Sequence, residues 1–226
     1  MNPTRFSVFV AASLALFLSG CNYEEPPPTA PDLNGLNKVH YAARAHDLEA
    51  LENLFHIGEV DPDTLDEDGI AVMHRAARDG KMDLVLLLLT YGADPVLRTS
   101  TDWTPIQLAA RGGHTELVRL FLTKGGDVKA KTPNKRSPLA MAVKAEDSEM
   151  AVLLLLNGAD ANGRNAKGAP LLHVAIEMDS PSIISLLLSH GADVHKRNQQ
   201  GTTPYALAYR NENMPLMEII WGHGGR

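Results

Sequence analysis

The chain has 226 residues, a net charge of −6, an apolar fraction of 44% with only 5% aromatics, and a single cysteine. The acidic balance argues against a nucleic-acid binder, and one cysteine leaves no disulfide framework. Sparse aromatics argue against a compact sandwich or barrel, which draws on more aromatic and β-branched residues, and favour stacked small helices.

The first element in chain order is a leader. Met1–Arg5 carries one positive charge and Phe6–Leu18 is almost wholly apolar. A short basic start, an apolar run of this length and small residues at its end describe a secretory signal, too short to span a membrane as a stable helix. An uncleaved N-terminal anchor is the alternative. Leu18-Ser19-Gly20-Cys21 closes the run and resembles the lipobox of bacterial lipoproteins. That resemblance implies cleavage before Cys21, lipidation of Cys21 and, because Asn22 rather than Asp follows, sorting to the outer membrane facing the periplasm. Two or more acyl chains anchor stably where one binds marginally. Residues 22–34 hold Pro26, Pro27, Pro28 and Pro31. Proline-rich chain is extended, so this segment reads as a tether of up to ~40 Å; a ligand for a groove is the other reading of such a stretch.

From residue 35 onward the chain repeats. Gly92-Ala93-Asp94 returns as Gly125-Gly126-Asp127, Gly158-Ala159-Asp160 and Gly191-Ala192-Asp193, a step of 33 each time. Six units align on His40, His74, Gln107, Ala140, His173 and Ala206, with one extra residue in the first step near Ile57-Gly58-Glu59. A fixed period of this length is one supersecondary unit stacked repeatedly, because a single short helix pair cannot bury its own apolar face. The third unit, Thr101–Ala130, is the clearest. Thr104 is placed to cap a first helix and Pro105 to occupy its first turn. Ala109 and Ala110 permit close approach, Gly112-Gly113 ends the helix, and Leu117, Val118, Leu120, Phe121 and Leu122 make a broad apolar second helix. Thr104-Pro105-Ile106-Gln107 stands where the ankyrin repeat usually has Thr-Pro-Leu-His, and the unit resembles that family. The resemblance implies an all-α solenoid of about six helix-turn-helix units joined by β-turn fingers, with units near 35–67, 68–100, 101–133, 134–166, 167–199 and 200–226.

The leucine runs Leu86–Leu89, Leu153–Leu156 and Leu186–Leu188 belong to second helices and are too short for membrane spans. Glu49, Glu52 and Asn53 dilute the apolar stripe of the first unit, as a solvent-facing cap requires. The last unit ends near Trp221 and His223 without a further finger. Gly80 and Gly113 follow first helices where the family places glycine, whereas His46, Glu146, Asp179 and Glu212 occupy that place elsewhere.

No Gly-rich phosphate loop, no His-Glu-x-x-His and no nucleophilic cysteine occur in the repeats. His40, His74 and His173 share the position where the family hydrogen-bonds the turn backbone. Asp94, Asp127, Asp160 and Asp193 are one turn position seen four times. No cofactor, metal or catalytic role is therefore expected. Two rows remain. The finger position before the capping residue carries Leu36, Ile70, Trp103, Arg136, Ala169 and Thr202. In ankyrin proteins it resembles a contact site, and exposed Leu, Ile and Trp resemble an interface hot spot; tucking against neighbouring fingers is the structural alternative. The end of each first helix carries Arg44, Arg78, Arg111, Lys144, Glu177 and Arg210. This basic row suits an acidic protein partner and salt-sensitive association, although cations also favour helix C-termini for purely structural reasons.

The expected function is a monomeric, lipid-anchored module facing the periplasm that binds another protein, as an inhibitor or immunity protein neutralising a periplasmic effector. A scaffold supporting an envelope enzyme is the alternative. Replacing Cys21 with Ser is expected to move the protein from the membrane to the soluble fraction on cell fractionation; retention in the membrane fraction contradicts the lipoprotein reading.

Overall fold

The computed structural model describes residues 36–58, 60–132 and 136–225. The leader, Cys21 and the proline-rich tether lie outside the described residues. Six helix pairs follow in order: α1 (Leu36–Ala45) with α2 (Leu48–His56), α3 (Val72–Asp79) with α4 (Met82–Thr90), and α5 (Pro105–Gly112) with α6 (Thr115–Thr123). Then come α7 (Pro138–Lys144) with α8 (Ser148–Leu156), α9 (Leu171–Glu177) with α10 (Pro181–Ser189), and α11 (Pro204–Arg210) with α12 (Met214–Gly222). Among the described residues there are no named strands, only isolated antiparallel bridges at Leu65–Ala71 and Arg164–Pro170. No described helix is long and apolar enough to cross a membrane.

Capping residues set the helix starts. Ser137 and Thr203 accept from the backbone N–H of Ala140 and Ala206 at 3.2 Å, opening α7 and α11. Asp47, Asp147 and Asn213 do the same for α2, α8 and α12, each satisfying a donor that the first turn leaves orphaned. The third unit departs from the sequence expectation. The Thr104 hydroxyl is buried without a hydrogen-bond partner, and the cap comes instead from Gln107, whose Oε1 accepts from Thr104 N–H at 3.0 Å.

First helices pack on first helices of the next unit, and second helices form the layer behind them. Ile106, Ala109 and Ala110 of α5, with Leu117, Val118 and Phe121 of α6, are almost completely buried in one core running through the stack. Burial of each large apolar side chain stabilises by about 1.5–3 kcal/mol. The approach of α5 to α3 depends on Gly112: a Cβ there would stand 2.6 Å from the Arg78 carbonyl oxygen. That close approach also seats His114, whose Nε2–H donates to the same carbonyl at 3.0 Å.

The corner after each first helix is left-handed. Gly80 and Gly113 have φ of 75° and 77°, and His46, Glu146, Asp179 and Glu212 adopt 57°, 54°, 52° and 55°. Two of these non-glycine corners have a partner across the stack: His46 Nε2 lies 2.9 Å from Asp83, and Asn213 donates to Asp179 at 2.6 Å.

The two ends of the stack differ. Glu49, Glu52 and Asn53 are exposed on the first unit as a polar cap. On the last unit Tyr209 and Trp221 are 68% and 58% exposed, where the equivalent Ile176 and Leu188 are 1% and 6% exposed beneath the next unit. Thus the last unit keeps interior-type apolar residues on its outer face, and only the first is polar.

Two substitutions at helix C-termini should move stability in opposite directions. Glu146→Gly relieves a left-handed residue that costs on the order of 1 kcal/mol, so the melting temperature is expected to rise by about 2–4 °C. Gly112→Ala improves helix propensity by about 1 kcal/mol yet drives a methyl into the Arg78 carbonyl, and the net result should be a lower melting temperature. A rise for Gly112→Ala would mean that the α3–α5 contact is loose.

Candidate protein-binding surface

Every described finger is closed by the same local pattern. Asp66, Thr99, Thr132, Asn165 and Asn198 each carry a side-chain oxygen that accepts from the backbone N–H four residues later, at 2.9–3.2 Å. The backbone N–H of each of these residues donates back to the carbonyl of that later residue. The two bonds pin both backbone groups of Ile70, Trp103, Arg136, Ala169 and Thr202, the finger row expected from the sequence. The closing residues were not singled out from the sequence, although an oxygen-bearing side chain recurs at a step of 33.

A second set of bonds ties four of the units to the finger of the next. His40, His74 and His173 place Nε2 at 3.1, 2.9 and 2.8 Å from the carbonyls of Thr64, Leu97 and Thr202. These bonds require Nε2–H as donor. For His74 the tautomer is fixed from the other side, since Ala71 N–H donates to Nδ1 at 3.2 Å. In the fifth unit the equivalent of Ala71 is Pro170, which has no N–H to give, and His173 Nδ1 is buried without a partner. Burial, the largest influence on all three imidazoles, holds their pKa below the usual histidine value. These histidines are structural, as the family resemblance implies.

Gln107 holds this position in the third unit and makes more bonds than a histidine can. Its Nε2 donates to Ala130 O at 2.8 Å and to Arg136 O at 3.0 Å while its Oε1 caps Thr104. One buried amide thereby joins the finger that bears Trp103 to the finger that bears Arg136.

At the surface above that joint, Trp103 is half-buried and two exposed guanidiniums sit over its ring. Arg111 Cζ lies 5.4 Å and Arg136 Cζ 5.5 Å from the ring centroid. The structure therefore brings one member of the helix-end row and two adjacent members of the finger row into a single cluster. Each cation–π contact is worth about 0.5–1 kcal/mol at an exposed site. Ile70 is half-buried in the preceding finger. Leu36 opens α1 rather than standing in a finger, and its side chain lies outside the described residues. Arg44 and Lys144 are exposed at the ends of α1 and α7. Arg78 is exposed too, but its Nε donates to Asp79 at 2.8 Å, and this guanidinium holds the Asp79 carboxyl below the usual carboxylate range. The basic row is thus partly neutralised at Arg78. Among the described residues no group of three or more His, Cys, Asp or Glu side chains could hold a metal ion.

The chain belongs to the ankyrin-repeat family: the model for ankyrin repeats (3 copies) matches residues 39–132, 109–198 and 139–224. A stretch of 65 residues is 37% identical to mouse protein phosphatase 1 regulatory subunit 27, covering 29% of this chain and 42% of that protein. The human protein of the same name is 34% identical over 65 residues, with the same coverage. The chain therefore spans less than half the length of these curated relatives.

The buried histidines give stability a pH dependence. Their folded pKa lies below the unfolded value near 6.5, so the folded state binds fewer protons and stability falls as pH drops from neutrality through that value toward the folded pKa. The urea midpoint is expected to be lower at pH 5.5 than at pH 7.5. His74→Gln, which copies the residue of the third unit, should flatten that dependence; an unaltered slope would exonerate His74.

Proposed function

We propose that this ankyrin-repeat protein is a lipid-anchored, periplasm-facing module that captures another protein on the surface around Trp103. Ankyrin repeats are protein–protein interaction modules, and the observation that carries the assignment to this patch is the half-exposed indole under two exposed guanidiniums. Trp and Arg are the residue types most enriched at interface hot spots. A rigid backbone pinned by finger and inter-unit bonds lowers the ordering cost of association. Ile70 on the preceding finger extends the apolar contact, and the exposed Arg44 and Lys144 add steering for an acidic partner. Cys21 would carry the anchor and residues 22–34 the tether, as the lipobox resemblance implies. Catalysis has no part in this reading.

Binding that blocks an effector or toxin in the periplasm is the reading we place first. A second one, accessory partner of an envelope enzyme, draws support from relatives whose name describes regulatory subunits of a phosphatase. Immunity predicts that deleting the gene is lethal only when a cognate toxin is present, whereas the accessory role predicts an envelope defect without one.

Capture from envelope extract, comparing the wild-type chain with Trp103→Ala, tests the surface directly. The variant should lose the partner by at least tenfold in affinity, about 1.4 kcal/mol or more, while its melting temperature stays close to wild type. Equal capture by both proteins removes Trp103 from the site.

A further inference from the structure

We propose that Trp103, Arg111 and Arg136 form a carboxylate clamp that takes an extended acidic segment of the partner protein, with Gln107 as its positioning residue. The proposal rests on the binding-surface reading above and specifies what that surface recognises.

The clamp is marked out first by charge. Arg75, Arg78, Arg98 and Arg119 each face a carboxylate of the chain itself, namely Asp66, Asp79, Asp102 and Glu116. Arg111 and Arg136, like Arg44, Arg164, Arg197 and Arg210, form no ion pair among the described residues, and what sets these two apart is that they meet. They share one indole. Two like charges gathered on one ring repel each other, and an anion between them relieves that repulsion. A contact to the ring face consumes none of the five N–H donors of a guanidinium, which match a carboxylate bidentately.

Geometry then selects the form of the ligand. The two guanidiniums come from different elements, Arg111 from the last turn of α5 and Arg136 from the next finger, so they present two separate forks. Carboxylates two residues apart on one face of an extended strand stand about 6–7 Å from each other. Such a pair can engage both forks, and the intervening indole offers an apolar floor for the side-chain methylenes. A small inorganic anion has no methylenes to lay on that floor.

Gln107 makes the arrangement persist in the free protein. Its amide bonds Arg136 O and caps Thr104, the residue after Trp103. A histidine, which fills this position in three other units, has a single Nε2–H to share between the two carbonyls: His74 bonds Leu97 O at 2.9 Å and also faces the Trp103 backbone, while His173 bonds Thr202 O at 2.8 Å. In the third unit two N–H donors on one amide hold both carbonyls at once. Preorganisation of this kind raises affinity by lowering ordering costs.

The test uses the full chain with Trp221→Phe, which leaves Trp103 as the single tryptophan and makes its emission the reporter. The probe is a synthetic peptide of alternating glutamate and serine; the same peptide with glutamine in place of glutamate, and inorganic phosphate at matched ionic strength, are the controls. The acidic peptide should change Trp103 emission saturably. Its affinity should fall at least about fivefold between roughly 50 and 300 mM salt. Arg111→Gln and Arg136→Gln should each weaken it by about tenfold or more, with melting temperatures unchanged because both side chains are exposed. Gln107→His should weaken the peptide less than either arginine variant and, by adding a buried histidine, steepen the loss of stability as pH falls below neutrality. An equal response to the glutamine peptide, or to phosphate alone, overturns the clamp, as does wild-type affinity in the arginine variants. If the acidic peptide fails while Trp103→Ala still abolishes capture of an envelope protein, the clamp falls and the binding surface stands. Loss of both removes the surface as well.

Discussion

A buried polar side chain near the start of a first helix, reaching forward to the backbone of the next finger, is the contact on which the rest of this structure depends. Apolar burial supplies most of the cohesion, but it is non-directional and would tolerate some sliding of one helix pair over another. The bonds from His40, His74, Gln107 and His173 have one geometry each. They fix the register of each unit on its successor and satisfy carbonyls that burial would otherwise leave unpaired. Where the position is alanine, as at Ala140, no side chain reaches forward, and Gly163 O, the carbonyl equivalent to those of Leu97 and Ala130, accepts instead from Leu171 N–H at 3.0 Å within its own finger.

Regularity at this level coexists with local strain. Four first helices end on a left-handed residue that is not glycine, and the fold imposes that conformation because the next helix must start antiparallel within two residues. His46 and Asp179 offset part of the cost through contacts with the following unit. At Gly112 the reverse holds, and the absence of a side chain is what lets α5 approach the Arg78 carbonyl.

The candidate site arises from the same coupling. Trp103 and Arg136 are 33 residues apart, and Arg111 belongs to a helix end rather than a finger. Stacking brings neighbouring fingers side by side, and two hydrogen bonds from Gln107 hold the later one by Ala130 O and Arg136 O. Of the arginines that lack a carboxylate partner among the described residues, Arg111 and Arg136 are held together on one aromatic ring.

The 33-residue period, the helix-pair unit and the family were legible in the sequence, because a solenoid is quasi-one-dimensional and each unit meets only its neighbours. The structural role of the shared histidines and the left-handed corners followed from the resemblance to the ankyrin family. The partner rows were legible only as rows. Sequence spacing could list Trp103, Arg111 and Arg136 but could not say that they meet, since they lie on two fingers and a helix end and their contact depends on side-chain direction. Nor could it separate Arg78, neutralised by its neighbour Asp79, from Arg111, which has no such carboxylate. The swap of a Thr104 cap for a Gln107 cap was likewise a tertiary decision: the glutamine amide has a buried carbonyl to satisfy on the next finger, and once its nitrogen is placed there its oxygen falls on the Thr104 N–H. Periodicity thus determined what stacks on what, and the competition of buried polar groups for partners across the stack decided which surface residues were brought together.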